Sequence, residues 1–240
     1  AVCSAHLAER SHGSQFGPVD VETVKADLAG RQGELIRKAA AHDEADIMLT
    51  LAADQFVVKR RAADAERITI VAGYPWFADW GRDTMIALPG LTLSTNQLPL
   101  ARQILETWSA YVDQGMIPNR FPESANSNTA PEYNSIDASL CFILAWFAYF
   151  QAGGKEAALR NALPVLEQII NAYHHGTRYQ IHMDENDGLL HIGETGTHMT
   201  LMDSRVDAIA ATPRTGKPEE VNALWYNALM AMQNITDRLA

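Results

Sequence analysis

Residues 136–150 (Ile-Asp-Ala-Ser-Leu-Cys-Phe-Ile-Leu-Ala-Trp-Phe-Ala-Tyr-Phe) are apolar almost all the way round a helical wheel, and this run limits the possible folds most. A helix that is hydrophobic on every side has to be enclosed by other elements. No apolar stretch reaches the roughly 18 residues of a membrane span, so the enclosure has to be protein. Residues 84–94 repeat the pattern more mildly. Between these segments lie one-sided stripes at the i, i+3, i+4, i+7 spacing of amphipathic helices. They are Val24-Leu28-Leu35-Ile36-Ala39, Leu49-Ala52-Ala53-Phe56 and Leu98-Ala101-Leu105-Trp108-Val112. Two further stripes run from Leu159 to Tyr173 and from Val221 to Leu239. Strand signals are confined to Ile68-Thr69-Ile70 and the surroundings of Leu189-Leu190. Amphipathic helices alternating with all-apolar ones predict an all-α domain of two concentric layers, an inner ring sheathed by an outer one.

A chain of 240 residues, 47% hydrophobic and 20% charged, has the composition of a folded domain with a substantial core rather than a disordered segment. Its net charge of −10 argues against nucleic acid and anionic membrane as partners, since both select clustered Lys and Arg. Neutral ligands such as sugars remain open. Cys141 sits inside the apolar run and reads as a buried thiol, which suits a reducing compartment such as the cytoplasm. The opening Ala-Val-Cys-Ser-Ala-His carries neither an initiator Met nor a signal-peptide pattern, so the sequence reads as the interior of a longer chain.

Three connections, 71–83, 114–135 and 186–203, are long and rich in Gly, Pro, Asn, Asp and Trp, and long loops in compact domains usually carry function. The first interleaves Tyr74, Trp76, Phe77 and Trp80 with Asp79, Arg82 and Asp83. Aromatic faces suit the C–H face of a pyranose, and carboxylates and guanidinium suit its hydroxyls. An aromatic corner with a structural Arg82–Asp83 ion pair is the competing interpretation. In the second, Asn134 or Ser135 caps the apolar helix and places Asp137 in its first turn, where a carboxylate favours the helix dipole. In the third, Glu194, Asp203, Asp207 and Glu220 are candidate acids, and Pro218-Glu219-Glu220 reads as a helix start.

Taken together, AGYPWFADWGRDTMIALPGL (72–91), GMIPNRFPE (115–123), PEYNSIDASL (131–140), DGLLHIGE (187–194), TLMD (200–203) and TPRTGKPEEVNALWYNAL (212–229) resemble the amylo-α-1,6-glucosidase domain of glycogen debranching enzymes. The resemblance runs from about residue 45 to residue 240, in the family's order. It implies an (α/α)6 toroid, incomplete at its C-terminal end, of which residues 20–240 form the N-terminal and central part, with residues 1–19 as the exit linker of a preceding domain. It also implies inverting hydrolysis, without a cofactor or metal, of the α-1,6-linked glucose at branch points of glycogen, limit dextrin or branched malto-oligosaccharide. Asp203 then matches the general acid. Arg82 and Asp83 match an Arg-Asp pair that grips the terminal glucose. Trp76, Asp79, Trp80, Asn119, Asn134, Asp137, Glu194 and Trp225 are expected to line the site.

Two departures from the family pattern bear on these expectations. Leu201 stands where the family usually carries Trp, so a stacking surface is expected to be missing. The general base is expected beyond Ala240, which would make the chain a fragment with uncovered inner helices. Another helical-toroid glycosidase, of the glucoamylase or trehalase kind, is disfavoured by the long 212–229 block. A non-catalytic carbohydrate-binding fragment is the alternative outside enzymes. A metal site at His174, His175, His182 or His191 lacks the i, i+4 spacing of a helical zinc pair, and solvated loop histidines account for those residues.

Overall fold

The computed structural model describes residues 20–61, 66–74, 77–121, 130–193, 199–202, 205–206, 209–210, 212 and 214–240. Seven α-helices dominate the described residues: α1 (Val21–Ala39), α2 (Glu44–Gln55), α3 (Gly81–Leu88), α4 (Leu98–Ser109), α5 (Ile136–Gln151), α6 (Glu156–His175) and α7 (Glu219–Leu239). Three two-stranded antiparallel pairs join them. These are β1 (Val57–Arg61) with β2 (Glu66–Ile70), β3 (His182–Met183) with β4 (Leu190–His191), and β5 (Arg205–Val206) with β6 (Ile209–Ala210). The sequence announces β2 through Ile68-Thr69-Ile70. Its partner β1 alternates too little to be read, and pairing in the register Val57↔Ile70 decides it.

The all-apolar run forms α5, and its environment explains its composition. Helix α5 packs against α3, α4, α6 and α7, and Leu140, Phe142, Ile143 and Trp146 are fully buried. The helices fall into two layers. Helices α3, α5 and α7 lie side by side, while α4 and α6 pack on α5 and on each other. Aromatic side chains fill the space between: Phe142 and Tyr149 meet Trp146 edge-on, at centroid distances of 6.4 and 5.7 Å. Trp108 of α4 lies 4.5 Å from Phe121. Burying rings of this size supplies on the order of 2–3 kcal/mol each, which is why the α5 face tolerates so little polarity.

The second apolar segment does not run as one helix. Helix α3 gives way at Pro89 to a wider π-turn spanning Pro89–Leu93. Proline has no N–H to continue the i→i−4 ladder, and the turn that follows it is one residue wider, with Ser94 N donating to Pro89 O at 3.0 Å. The periodic stripe of α2 also meets a different fate from that of α4, α6 and α7. Leu49 is 70% exposed, and of the stripe only Ala53 is buried. Leu49, Ala52 and Phe56 instead line a groove of about 630 Å³ facing Gly90 and Leu91 of the π-turn. No helix among the described residues is long and apolar enough to cross a membrane.

Candidate active site

Helices α3, α5 and α7 each present their second residue to one cavity. Arg82, Asp137 and Glu220 stand together in the wall of a space of about 420 Å³. Below them the same helices contribute Met85, Ile86, Cys141, Leu144, Ala145 and Leu224, so one end of the cavity is polar and the rest apolar. Three helix N-termini converge there, and their positive ends favour carboxylates in their first turns.

Local chemistry fixes each of these helix starts. Ser135 is the N-cap of α5, with extended backbone and Oγ accepting from Ala138 N at 3.2 Å, which decides between the two candidate caps. Trp80 makes no side-chain cap for α3; the Gly81 N–H donates instead to the carbonyl of Asn119 at 2.8 Å. Helix α7 starts behind Pro218 as its sequence predicts, and Arg214 Nε donates to Glu220 Oε1 at 2.7 Å.

The centre of the site is a carboxylate surrounded by donors. Arg82 Nε donates to Asp137 Oδ1 at 2.9 Å, and the Ser135 hydroxyl donates to the same oxygen at 2.5 Å. The other oxygen, Oδ2, accepts from the backbone N–H of Leu201 at 2.9 Å. Arg82 Nη2 also reaches Ser135 Oγ at 3.4 Å. Arg82 and Asp137 are 6% and 4% exposed, so this charge pair is held almost out of water. Asp83 is exposed and does not line the cavity, and the Arg82–Asp83 ion pair considered from the sequence gives way to one between α3 and α5. Burial, reinforced by the Asp137 charge, pushes the neighbouring Cys141 thiol up to about 12 against the opposing pull of Arg82. Burial likewise raises Tyr173, whose hydroxyl donates to Ile136 O at 2.8 Å.

The remaining expected site residues separate into distinct places. Asn119 Nδ2 donates to Asn134 Oδ1 at 3.2 Å, which joins the 114–121 and 130–135 segments; Asn119 is buried and its Oδ1 has no partner among the described residues. Asp79 is buried beside this junction, directly ahead of α3. Trp80 lies half-buried under the guanidinium of Arg120, 5.6 Å from its ring centre, away from the cavity wall. Trp225 is buried in the layer between α6 and α7, 6.3 Å from Tyr173, with its indole N–H donating to Gly188 O at 3.2 Å. Trp76, Glu194 and Asp203 lie outside the described residues. Leu201, two positions before Asp203, is 64% exposed and borders the cavity.

Sequence reasoning treated Glu220 only as one acid among several and gave no role to Ser135 beyond capping. The signal for Glu220 was its place at a helix start, but nothing local says that three such starts meet. The 212–229 block also ties the site to its flank. Lys217 Nζ bridges Asp184 and Asp187 at 2.6 and 2.7 Å, and Asn222 exchanges hydrogen bonds with the backbone of Leu190. His182 and His191 face each other across β3–β4 at 5.2 Å, and no cluster of three metal-ligating side chains occurs among the described residues.

Over residues 51–240 the chain matches the amylo-alpha-1,6-glucosidase family, and it belongs to that family. Among individual proteins it is similar to the glycogen debranching enzyme of Saccharomyces cerevisiae, with 26% identity over 220 residues. That match covers 67% of this chain but 14% of the relative, so the chain spans a small part of the longer protein's length.

Proposed function

We propose that this chain forms part of the catalytic centre of an α-1,6-glucosidase that removes single glucose units from the branch points of glycogen, limit dextrin or branched malto-oligosaccharides. The observation that carries the reading is the Arg82–Asp137–Leu201 junction. It holds residues 199–202, which precede Asp203 in the sequence, against the polar end of a cavity in a chain of this family. Asp203 is the general acid: it protonates the glycosidic oxygen as the C–O bond breaks. Inversion requires a second carboxylate that activates water on the opposite face of the sugar, about 6.5–9.5 Å away. To hold its proton near neutral pH, the acid needs burial or neighbouring negative charge. In this reading the apolar wall of Met85, Ile86 and Leu224 meets the C–H face of the sugar, while Glu220 is open to its hydroxyls. The two helix layers form part of an (α/α)6 ring, and the setting is the cytoplasm, where glycogen is degraded.

The test is Asp203→Asn in the full-length protein. Glucose release from limit dextrin is expected to fall by about 10³-fold or more while oligosaccharide binding persists. Retained turnover would remove Asp203 from the acid role. Loss of binding together with turnover would assign it to substrate contact instead.

A further inference from the structure

Asp137 was expected to touch the sugar, but its geometry points to a different task. Its carboxylate faces protein on both oxygens: Oδ1 accepts from Arg82 Nε and Ser135 Oγ, and Oδ2 accepts from Leu201 N. One residue earlier on α5, Ile136 N donates to Met199 O at 2.8 Å. The first turn of α5 therefore grips the 199–202 segment at two points, through a carbonyl at 199 and an N–H at 201. Between them Thr200 is 1% exposed, and its Oγ1 accepts from Met202 N at 3.1 Å, which closes a local turn over residues 200–202.

We infer that Asp137 is a positioning residue, which fixes the backbone of residues 199–202 and thereby the placement of the acid Asp203, rather than a residue that binds glucose. This rests on the reading of Asp203 as the acid. A side chain that is 4% exposed, with both oxygens occupied, has little left to offer a hydroxyl. Its attachment to a rigid helix start, backed by the Arg82 charge, is what the segment ahead of the acid needs to keep its place. A misplacement of about 1 Å costs on the order of 100-fold in rate. The same logic makes Ser135 a second support, because its hydroxyl both caps α5 and donates to the carboxylate it orients.

The experiment combines amide hydrogen exchange with kinetics in the full-length protein. In the wild type the Leu201 amide is expected to be protected; exchange at the unprotected rate would overturn the anchor without any variant being made. Asp137→Asn, and the milder Ser135→Ala should the first not fold, are expected to speed Leu201 exchange. They are also expected to lower kcat, by about 100-fold for Asp137→Asn, with KM within roughly threefold of wild type. A displaced acid should in addition shift the basic limb of the kcat pH profile, which a general loss of stability would not do. A rise of about tenfold or more in KM with kcat unchanged would make Asp137 a sugar contact and sink the inference. Asp203→Asn run in parallel separates the two failures. If Asp203→Asn retains turnover, the acid assignment fails. If it is inactive while the Asp137 and Ser135 variants turn over normally, only the positioning role fails.

Discussion

Arg82 and Asp137 stand 55 positions apart in sequence, yet their side chains meet at 2.9 Å and join the first turn of α3 to the first turn of α5. Desolvating two charges costs several kcal/mol per ion, which Coulomb attraction and hydrogen bonds offset only when the geometry is good. Here Ser135 and the Leu201 amide supply the extra donors. The pair therefore sets the relative position of two helices and a loop more than it adds net stability.

Breaking that pair from one side should be costly. Arg82→Met leaves the Asp137 carboxylate buried without its cation and is expected to destabilise the domain by roughly 3–5 kcal/mol. Replacing both partners, as Arg82→Met with Asp137→Leu, should recover most of the loss. Urea unfolding of the two variants checks this, and a double replacement as damaging as the single one would show that the pair itself is stabilising.

Gly81 and Gly30 should respond oppositely to Ala. A Cβ at Gly81 would stand 2.2 Å from the Pro118 carbonyl oxygen, a backbone atom that cannot easily move aside. Gly81→Ala is expected to cost about 1–3 kcal/mol by overpacking. Gly30, in exposed α1, has nothing within 4 Å of its Cβ position, so Gly30→Ala should stabilise by about 0.5–1 kcal/mol. Thermal melting of the two variants against the wild type checks both signs.

The Cys141 thiol should be inert in the folded protein. With its pKa raised from 9.0 to about 12, iodoacetamide near pH 8 is expected to label it only after unfolding, as read by mass spectrometry. Because the folded value exceeds the unfolded one, the neutral thiol's contribution to stability is complete below pH 9.0. It is lost as pH rises toward about 12.

Lys217 holds Asp184 and Asp187 below the ordinary carboxylate value of 3.8, through its hydrogen bonds to each, and is itself raised by them. Groups with depressed folded values contribute stability above that value and lose it only as pH falls through the lower, folded ones. Lys217→Met should therefore lower the melting temperature throughout neutral and mildly acid pH, with the deficit closing only below about 3.8. Added salt should shrink it too, because the cluster is partly open to water. A deficit that persists unchanged in strong acid would place the effect in packing instead.

Helical periodicity was legible because burial of one face writes itself into spacing. Helices α4, α6 and α7 follow their stripes, and α5 announces its enclosure through composition alone. Where the spacing misleads, the cause is what lies opposite: the α2 stripe has the right period, but Leu49, Ala52 and Phe56 face an open groove beside the π-turn. Much of the candidate site was readable as residue types in loops, since aromatic rings mixed with Asp, Asn and Arg are a chemical inventory. Trp225 shows the limit of that inventory, because a tryptophan near a site can equally spend its ring on Tyr173 and its N–H on Gly188.

The sequence by itself determined most of the helices, the start of α7 behind Pro218, and the family resemblance, because each is a property of neighbouring residues or contiguous blocks. Only the tertiary structure decided that Arg82 turns to Asp137 rather than Asp83, and that the second residues of α3, α5 and α7 share one cavity wall. It alone also showed that a backbone N–H at Leu201 completes the carboxylate's shell. The physical reason is that charge pairing and hydrogen bonding act through space at about 3 Å, and a backbone donor carries no residue type by which a sequence could reveal it.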